Sequence, residues 1–402
     1  MAHMSGRTYL AIPGPSVVPD RVLNAMHRAS PNIYEGEIVE ATYGIVADLK
    51  RVAMTKHHVA IYIANGHGAW EAAFTNMFSR GDKALVAATG VFGLGWAEMA
   101  RKMGVDVEVM DFGKSSPVDP QRIAEGLAAD KTHAIKAVLM TQVDTASSAL
   151  SDIAAVRAAI DAAGHPALLA VDAIASIGCD TLRMDDWGID VLVGASQKGL
   201  MLPPGLAFVW FSDKALEAGR NSDLRTPYWD WQLRGLGEHF YHFFGGTAPT
   251  MHLFGLRESL TMILEEEGLE AVWARHDTLA RAVWAAFEAW GAGSNAIAMN
   301  MADARHRGRS VTAARIGNAG AGALRKWLET EAGVTLGIGL GMAMPGEPGF
   351  DDYLRVAHMG HVNAHMVLGT LATMEAGLVA LDIPHGGGAI EAAAAAFAGA
   401  KK

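Results

Sequence analysis

Along the first two-thirds of the chain, short apolar runs alternate with amphipathic stretches. "HVAIYIA", "KALVAATG", "KAVLMTQV", "ALLAVDAIA", "IDVLVGAS" and "LAFVWFS" are apolar runs bounded by turn-forming residues, and they predict buried strands. "GHGAWEAAFTNMF", "WAEMARKMG" and "SDIAAVRAAIDAAG" place apolar residues at helical spacing between several of them. Strands separated by helices predict a mainly parallel sheet covered on both faces. "IPGPSVVPDRVLNAM" reads as an extended Pro/Gly arm followed by a helix starting near Pro19 and Asp20. After about residue 260 the pattern changes. "ESLTMILEEEGLEAVWARHDTLARAVWAAFEAWG" predicts one long helix leading into a smaller region with fewer strand signals. The expected organisation is an arm over 1–20, a large domain over 21–275 and a small domain over 276–402. The tail "GGGAIEAAAAAFAGAKK" reads as Ala-rich helix or fraying end. No fixed-period repeat stands out.

Composition narrows the class. The chain has 402 residues, enough to bury the core of one large or two ordinary domains. Apolar residues make up 50% and charged residues 19%, the balance of a globular enzyme. A formal net charge of -10 without a basic stripe argues against nucleic acid as a partner. The one cysteine, Cys179, excludes an intrachain disulfide and fits a reducing compartment. Its apolar setting, "ASIGC", reads as packing and not catalysis. The N-terminus has no extended apolar core behind a basic start, so no secretory signal is expected. Met1 to Met4, "MAHM", read as a non-native leader and are left out of the fold reasoning. No run approaches the roughly 18 apolar residues of a membrane span. A cytoplasmic location is the expectation.

Five features could carry chemistry, and each has a plainer alternative. Asp172 closes the run "PALLAVD", at the strand edge where open α/β sheets bind ligands. A carboxylate there can pair with a protonated ring nitrogen, or cap a following helix. Lys198 sits among small and apolar residues in "GASQKGLMLPPG". Desolvation would lower its pKa and make it a nucleophilic amine, although strand-terminal lysines are usually solvated charges. Together, a lysine and an acid are what pyridoxal 5'-phosphate requires, for its Schiff base and its pyridine nitrogen. "IANGHGAWEAAF" places Asn65, Gly66, His67 and Gly68 between a strand and a helix. Backbone amides at a helix start attract a phosphate dianion; the alternative is an ordinary turn. Phe92, in the Gly-rich turn of "ATGVFGLGW", could stack on a flat cofactor or pack into the core. Arg355 in "DDYLRVAHMG" could fork onto a carboxylate or form a surface pair with Asp351 or Asp352.

With these residues in view, the chain resembles the class V aminotransferases of pyridoxal phosphate fold type I. It is especially similar to the serine–glyoxylate and alanine–glyoxylate enzymes. The resemblance runs from "IPGPSVVPDRVLNAM" to about "RVAHMG" and is most specific in "HPALLAVDAIASIG" and "IDVLVGASQKGLMLPPGLAFVWFS". It implies an aspartate aminotransferase-like α/β fold: a large domain with a mainly parallel seven-stranded sheet and a smaller C-terminal α+β domain. It also implies a homodimer with shared active sites. Lys198 would hold the cofactor and move the proton, and Asp172 would bind the ring nitrogen. Phe92 would stack on the ring, and Thr145 in "QVDTASSAL" would lie near its hydroxyl. The phosphate would be contacted by Gly66, His67 and Gln197, with Asn65 beside them. Thr247 in "FFGGTAPT" would reach the partner subunit's phosphate. Arg355 would hold the substrate α-carboxylate. Tyr34, Glu35 and Glu37 lie where these enzymes place a site-lining loop, and acidic residues there would favour small neutral donors such as serine or alanine over acidic ones. The implied acceptor is glyoxylate or pyruvate.

Three departures are visible. Gln142, Val143 and Asp144 stand where His-Asn-Glu or His-Gly-Glu is common. Phe244 replaces a frequent tyrosine, and "SPNIYEGEIVEATY" replaces a segment that commonly holds His-Arg-Ser. The altered loop, Asn32 to Glu40, leaves the donor open. His358, His361 and His365 would share one face of a helix, but no acidic or cysteine ligand has a forced place beside them, and no metal is expected. Gly337, Gly339 and Gly341 do not form a dinucleotide fingerprint. The competing enzyme class is a lyase or desulfurase on the same fold, for which Cys179 is poorly placed.

Overall fold

The computed structural model describes residues 6–399, so the leader reading and the last three residues of the tail lie outside the described residues. Among the described residues, seven strands form the larger sheet: β2 (His58–Ala64), β3 (Lys83–Ala88), β4 (Asp106–Asp111), β5 (Ile135–Thr141), β6 (Leu168–Asp172), β7 (Val191–Ala195) and β8 (Gly205–Phe211). Their spatial order is β2-β8-β7-β6-β5-β3-β4, and β8 alone runs antiparallel to its neighbours. Alternate residues feed two cores. Val59, Ile61, Leu169 and Val171 face one side of the sheet, while Ala60, Tyr62, Leu168 and Ala170 face the other. Burial on both faces is why these strands read as near-continuous apolar runs. The strand missed by the apolar pattern is β4, "DVEVMD". It lies at the sheet edge with half-buried and exposed side chains, so it lacks that signal.

The smaller sheet has order β1-β11-β12-β10-β9, built from β1 (Tyr9–Ala11), β9 (Ile297–Met299), β10 (Val311–Ile316), β11 (Val334–Ile338) and β12 (Tyr353–Ala357). Its own core gathers Phe287, Trp290, Leu324, Leu354 and Leu371. Here β1 pairs in parallel with β11, so the N-terminal arm is the edge strand of this second sheet. From there the chain crosses to the first sheet, where Ser16 donates its hydroxyl to the Lys198 carbonyl at 2.8 Å.

The long helix expected after Glu258 is two helices. Thr250–Thr261 widens into a π-helical turn over Met262–Glu267 and stops at Gly268, whose φ is 86°. A new helix then runs over Leu269–Gly291. Positive φ is open to glycine at little cost. Glu265, Glu266 and Glu267, at the break, pair with Arg51, Arg21 and Arg275. The apolar periodicity continues through the break, and so conceals it.

Backbone contact brings the Asp172 and Lys198 loops together. Gly178, at φ 73°, lies against Gly199, where a β-carbon would strike the Ile177 carbonyl and the Cys179 sulfur. Two adjacent glycines thus let the loops after β6 and β7 touch. No helix among the described residues is long and apolar enough to cross a membrane.

Candidate active site

Because β5, β6 and β7 are parallel, the loops that follow them emerge at one sheet edge. Asp172 is the last residue of β6 and is 4% exposed. One carboxylate oxygen accepts the Trp70 indole N–H at 2.9 Å, and the other accepts the Ile174 amide at 2.8 Å. Burial pushes this carboxyl up to about 7 despite both hydrogen bonds. The segment after β6 is a run of turns and not a helix, so Asp172 caps a turn only.

Lys198 follows β7 in the turn that begins after Ala195, and it is 9% exposed. Burial, and secondarily the Arg355 charge, bring its amine down to about 8, while Asp172 pulls the other way. The amine donates to the Pro13 carbonyl, so the arm lies directly over it. A solvated surface charge is excluded.

At the end of β2, Asn65 caps the helix Gly66–Met77, its side-chain oxygen accepting the His67 and Gly68 amides at 3.1 and 3.4 Å. The His67 ring lies 4.7 Å from that of Trp70. Gln197 lies beside Lys198, and its side-chain oxygen is buried without a partner. Phe92 is not in a free turn. It occupies the first turn of the helix Val91–Lys102, and its amide is accepted by Asp144 at 3.0 Å. Asp144 also accepts the Gly93 and Ala146 amides, tying that helix start to the loop that carries Thr145. Burial raises the Asp144 carboxyl above the ordinary range.

One cavity of about 130 Å³ takes Asn65, Gly66, His67, Phe92, Thr145, Asp172, Gln197 and Lys198 into its walls, with Trp70 and Val143. A larger cavity of about 770 Å³ lies between the first sheet's loops and the helix Leu269–Gly291, lined by Asp180, Trp187 and Trp273. It contains neither Asp172 nor Lys198, which both line the smaller one. Trp70 is the wall residue that pattern reading missed. Its signal was an aromatic residue one helical turn beyond Gly66, in a helix whose buried face is otherwise mostly small. Asp144 was visible only as a departure from the family pattern.

Arg355 is 7% exposed on β12 and is not part of a surface pair. Asp351 lies by Arg325 and Asp352 by Arg315. Arg355 donates to the carbonyls of Ile338 at 2.7 Å and Thr145 at 3.0 Å, and burial lowers its pKa to about 10. It borders a groove behind the arm, beside the cavity and not in its wall.

Tyr34, Glu35 and Thr247 are exposed and lie outside the cavity walls. Tyr34 is 88% exposed. Asn32 donates to Glu35 at 3.4 Å, and Glu37 is forked onto Arg28 at 3.0 and 2.7 Å. Phe244 is buried in a short 3-10 helix leading to Thr247. The three histidines do not share a helical face, because the helix starts only at Ala364. His358 is buried between the Thr312 hydroxyl and the Arg309 carbonyl, and among the described residues no group of three or more ligand-type residues could hold a metal.

Residues 8–351 match the family Aminotransferase class-V. The serine–glyoxylate aminotransferase of Methylorubrum extorquens is 37% identical over 380 residues, spanning 93% of this chain and 92% of that protein. The L-aspartate–glyoxylate aminotransferase of Paracoccus denitrificans is 38% identical over 393 residues, spanning 95% and 93%. The fold is shared with the solved ureidoglycine–glyoxylate aminotransferase of Bacillus subtilis, with a TM-score of 0.85 at 24% identity over 99% of this chain and all of that one.

The raised Asp172 carboxyl makes a stability prediction for the cofactor-free protein. Its folded pKa, about 7, exceeds the ordinary 3.8, so the folded state binds a proton that the unfolded chain has released between these values. The stability this contributes is complete below pH 3.8 and is lost as pH rises through 7. Asp172→Asn removes the buried charge, and at pH 8 it should unfold at least about 2 °C above wild type in thermal scans. The difference should shrink steadily as the scans are taken toward pH 4.

Proposed function

The chain belongs to the class V aminotransferase family, and from that premise we propose that it exchanges an amino group between a small 2-amino acid and a small 2-oxo acid by a ping-pong mechanism. The donor proposed is serine or alanine and the acceptor glyoxylate or pyruvate, as the names of its serine–glyoxylate and alanine–glyoxylate relatives support. The observation carrying this reading is a buried acid at about 7 and a buried amine at about 8 in the walls of one cavity.

Pyridoxal 5'-phosphate is the cofactor, and the residues present fit it. The cavity offers a desolvated amine in Lys198, an acid in Asp172, an aromatic ring in Phe92 and, at a capped helix start, the Gly66 amide beside the Gln197 carboxamide, whose N–H end can donate to a phosphate. When bound, the cofactor supplies a protonated ring that delocalises negative charge from the substrate α-carbon. Asp172 would keep a proton on the ring nitrogen, and Trp70 fixes the orientation of that carboxylate. Lys198 is the amine that would hold the cofactor, and its free amine would take and return the α-proton. A pKa near 8 leaves an appreciable neutral fraction for that task. Gly66, His67 and Gln197 would hold the phosphate at the helix start, beside Asn65, whose side chain takes the His67 and Gly68 amides. Thr145, in the cavity wall, would lie near the ring hydroxyl, and Arg355 would fork onto the α-carboxylate.

The exposed positions of Tyr34, Glu35 and Thr247 support their serving the site of a second subunit, in a two-fold dimer. We also propose the division into an arm at 1–20, a cofactor domain at 21–275 and a small domain at 276–402. The separate cores support it, and the helix Leu269–Gly291 spans the boundary. A cytoplasmic location is supported by the single, fully buried cysteine. Burial pushes that thiol up to about 12, which argues against a desulfurase in which it would carry sulfur. A second reading, aspartate as donor, is favoured by the Paracoccus relative and by the pairing of Glu37 with Arg28, which mutes the acidity of the loop.

Four measurements test the proposal. Borohydride reduction and peptide mapping should place the cofactor on Lys198, and Lys198→Ala should lose both the visible cofactor absorbance and turnover; label on another lysine rejects the assignment. In a donor panel against glyoxylate and pyruvate, serine or alanine should turn over fastest. Arg355→Lys should weaken every 2-amino and 2-oxo acid together, by about tenfold or more, because it keeps the charge and loses the fork. Aspartate as the fastest donor selects the second reading. Sedimentation at assay concentration should show a dimer, and an active monomer would refute shared sites.

A further inference from the structure

Two consecutive residues of the helix Leu269–Gly291 hold Gly360 by both sides of its backbone. His276 accepts the Gly360 amide at Nε2, at 3.0 Å. Arg275 donates Nη1 to the carbonyls of Gly360 and Val362, each at 3.0 Å. Arg275 is itself braced, because its Nε and Nη2 fork onto Glu267 at 2.7 and 3.0 Å, in the π-helical turn before the break. His276 is fully buried, and its Nδ1 lies 2.7 Å from the Val272 carbonyl. A carbonyl only accepts, so Nδ1 carries the proton and Nε2 offers a lone pair. Burial, and secondarily the Arg275 charge, bring this imidazole down to about 3, so the lone pair stays available at neutral pH.

The Gly360 turn lies on the backbone of Lys198. Its φ is 77°, and a β-carbon there would come within 3.3 Å of both the Lys198 carbonyl oxygen and the Ser16 hydroxyl. That carbonyl accepts the Ser16 hydroxyl at 2.8 Å and the Met201 amide at 3.0 Å. Two hydrogen bonds thus set its direction, and the Gly360 turn closes over it. The Gly360 amide also faces the Cys179 thiol, whose sulfur packs against Gly199, the residue after the lysine. The peptide unit is planar, so the direction of the carbonyl fixes how the lysine side chain leaves the backbone. A small tilt there grows along the four-carbon stem before it reaches the amine.

We propose that His276 is a positioning residue for Lys198: a neutral hydrogen-bond acceptor that pins the Gly360 turn onto the lysine backbone and so sets where the amine lies. This rests on the reading of Lys198 as the amine that holds the cofactor. The later turns of the same helix, from Leu279 to Trp290, belong to the core of the second sheet. One hydrogen bond therefore joins the packing of that core to the backbone of the lysine.

The test uses the intact holoenzyme and three variants. His276→Phe keeps a flat ring and removes the acceptor, His276→Gln returns an acceptor oxygen, and Arg275→Met releases the carbonyl side of the turn. In His276→Phe, kcat with the fastest donor should fall at least about tenfold while KM stays within about twofold, the scale of a slightly misplaced reacting group. The isotope effect of an α-deuterated donor on kcat should rise, because proton transfer is the step that slows. A loosened turn admits water and favours the charged nitrogen, so the pH midpoint of the visible cofactor absorbance should rise by at least about half a pH unit. His276→Gln should restore most of each change, and Arg275→Met should move the absorbance midpoint in the same direction. Wild-type kcat and midpoint in His276→Phe would overturn the proposal. So would equal impairment of the Phe and Gln variants, or a lowered thermal midpoint with the isotope effect and absorbance unmoved, which is what a merely structural role gives. If His276→Phe does not fold, Arg275→Met decides, and an unmoved absorbance midpoint there refutes the positioning role. Visible absorbance that survives Lys198→Ala marks a different failure, that of the lysine reading, and removes the proposal with it.

Discussion

Desolvation at the carboxyl edge of the seven-stranded sheet is the constraint on which the rest depends. Asp172 and Lys198 leave β6 and β7, which are neighbouring parallel strands, so both are carried into the same low-dielectric layer. Neither keeps its ordinary proton affinity there. Burial favours the neutral form of each, which raises the acid and lowers the base until the two values nearly meet. A pair so balanced can hold or release protons near neutral pH at small cost. It is also a poor source of stability, because each group would be better solvated in the unfolded chain.

The surrounding structure keeps water out and fixes the pair. The arm joins the second sheet through β1, then crosses to place the Pro13 carbonyl on the lysine and the Ser16 hydroxyl on the backbone of the same residue. Trp70 holds the acid from the facing helix. Asp144 binds the start of the Phe92 helix to the Thr145 loop, and the Thr145 carbonyl in turn holds Arg355. The two sheets are therefore joined through the functional residues themselves. A shift of the second sheet relative to the first would be felt at Lys198 and Arg355 before it was felt in either core.

This geometry also separates reaction type from substrate choice. Asp172 and Lys198, the residues proposed to handle protons, belong to the first sheet's carboxyl edge and are deeply buried. The residues proposed for the substrate lie elsewhere: Arg355 on β12, and Tyr34 and Glu35 in an exposed loop. Relatives bearing serine–glyoxylate and aspartate–glyoxylate names sit at nearly equal identity to this chain, as expected when one chemical core is paired with an independently variable rim.

The strands of the first sheet, the helix after Asn65 and the lysine–aspartate pair were legible in the sequence because burial on both faces leaves a continuous apolar run. A charged residue at the end of such a run then stands out, as Asp172 and Lys198 do. The edge strand β4 and the break at Gly268 were hidden for the converse reason: a half-solvated strand has no such run, and a glycine break need not disturb apolar spacing. Only the folded chain could decide the long-range contacts. The indole of Trp70 on Asp172 spans 102 positions, the Arg355 bond to Thr145 spans 210, and the Pro13 carbonyl on Lys198 spans 185. No local propensity records which distant group will satisfy a buried donor, because that is settled by how helices, strands and the two sheets pack against one another.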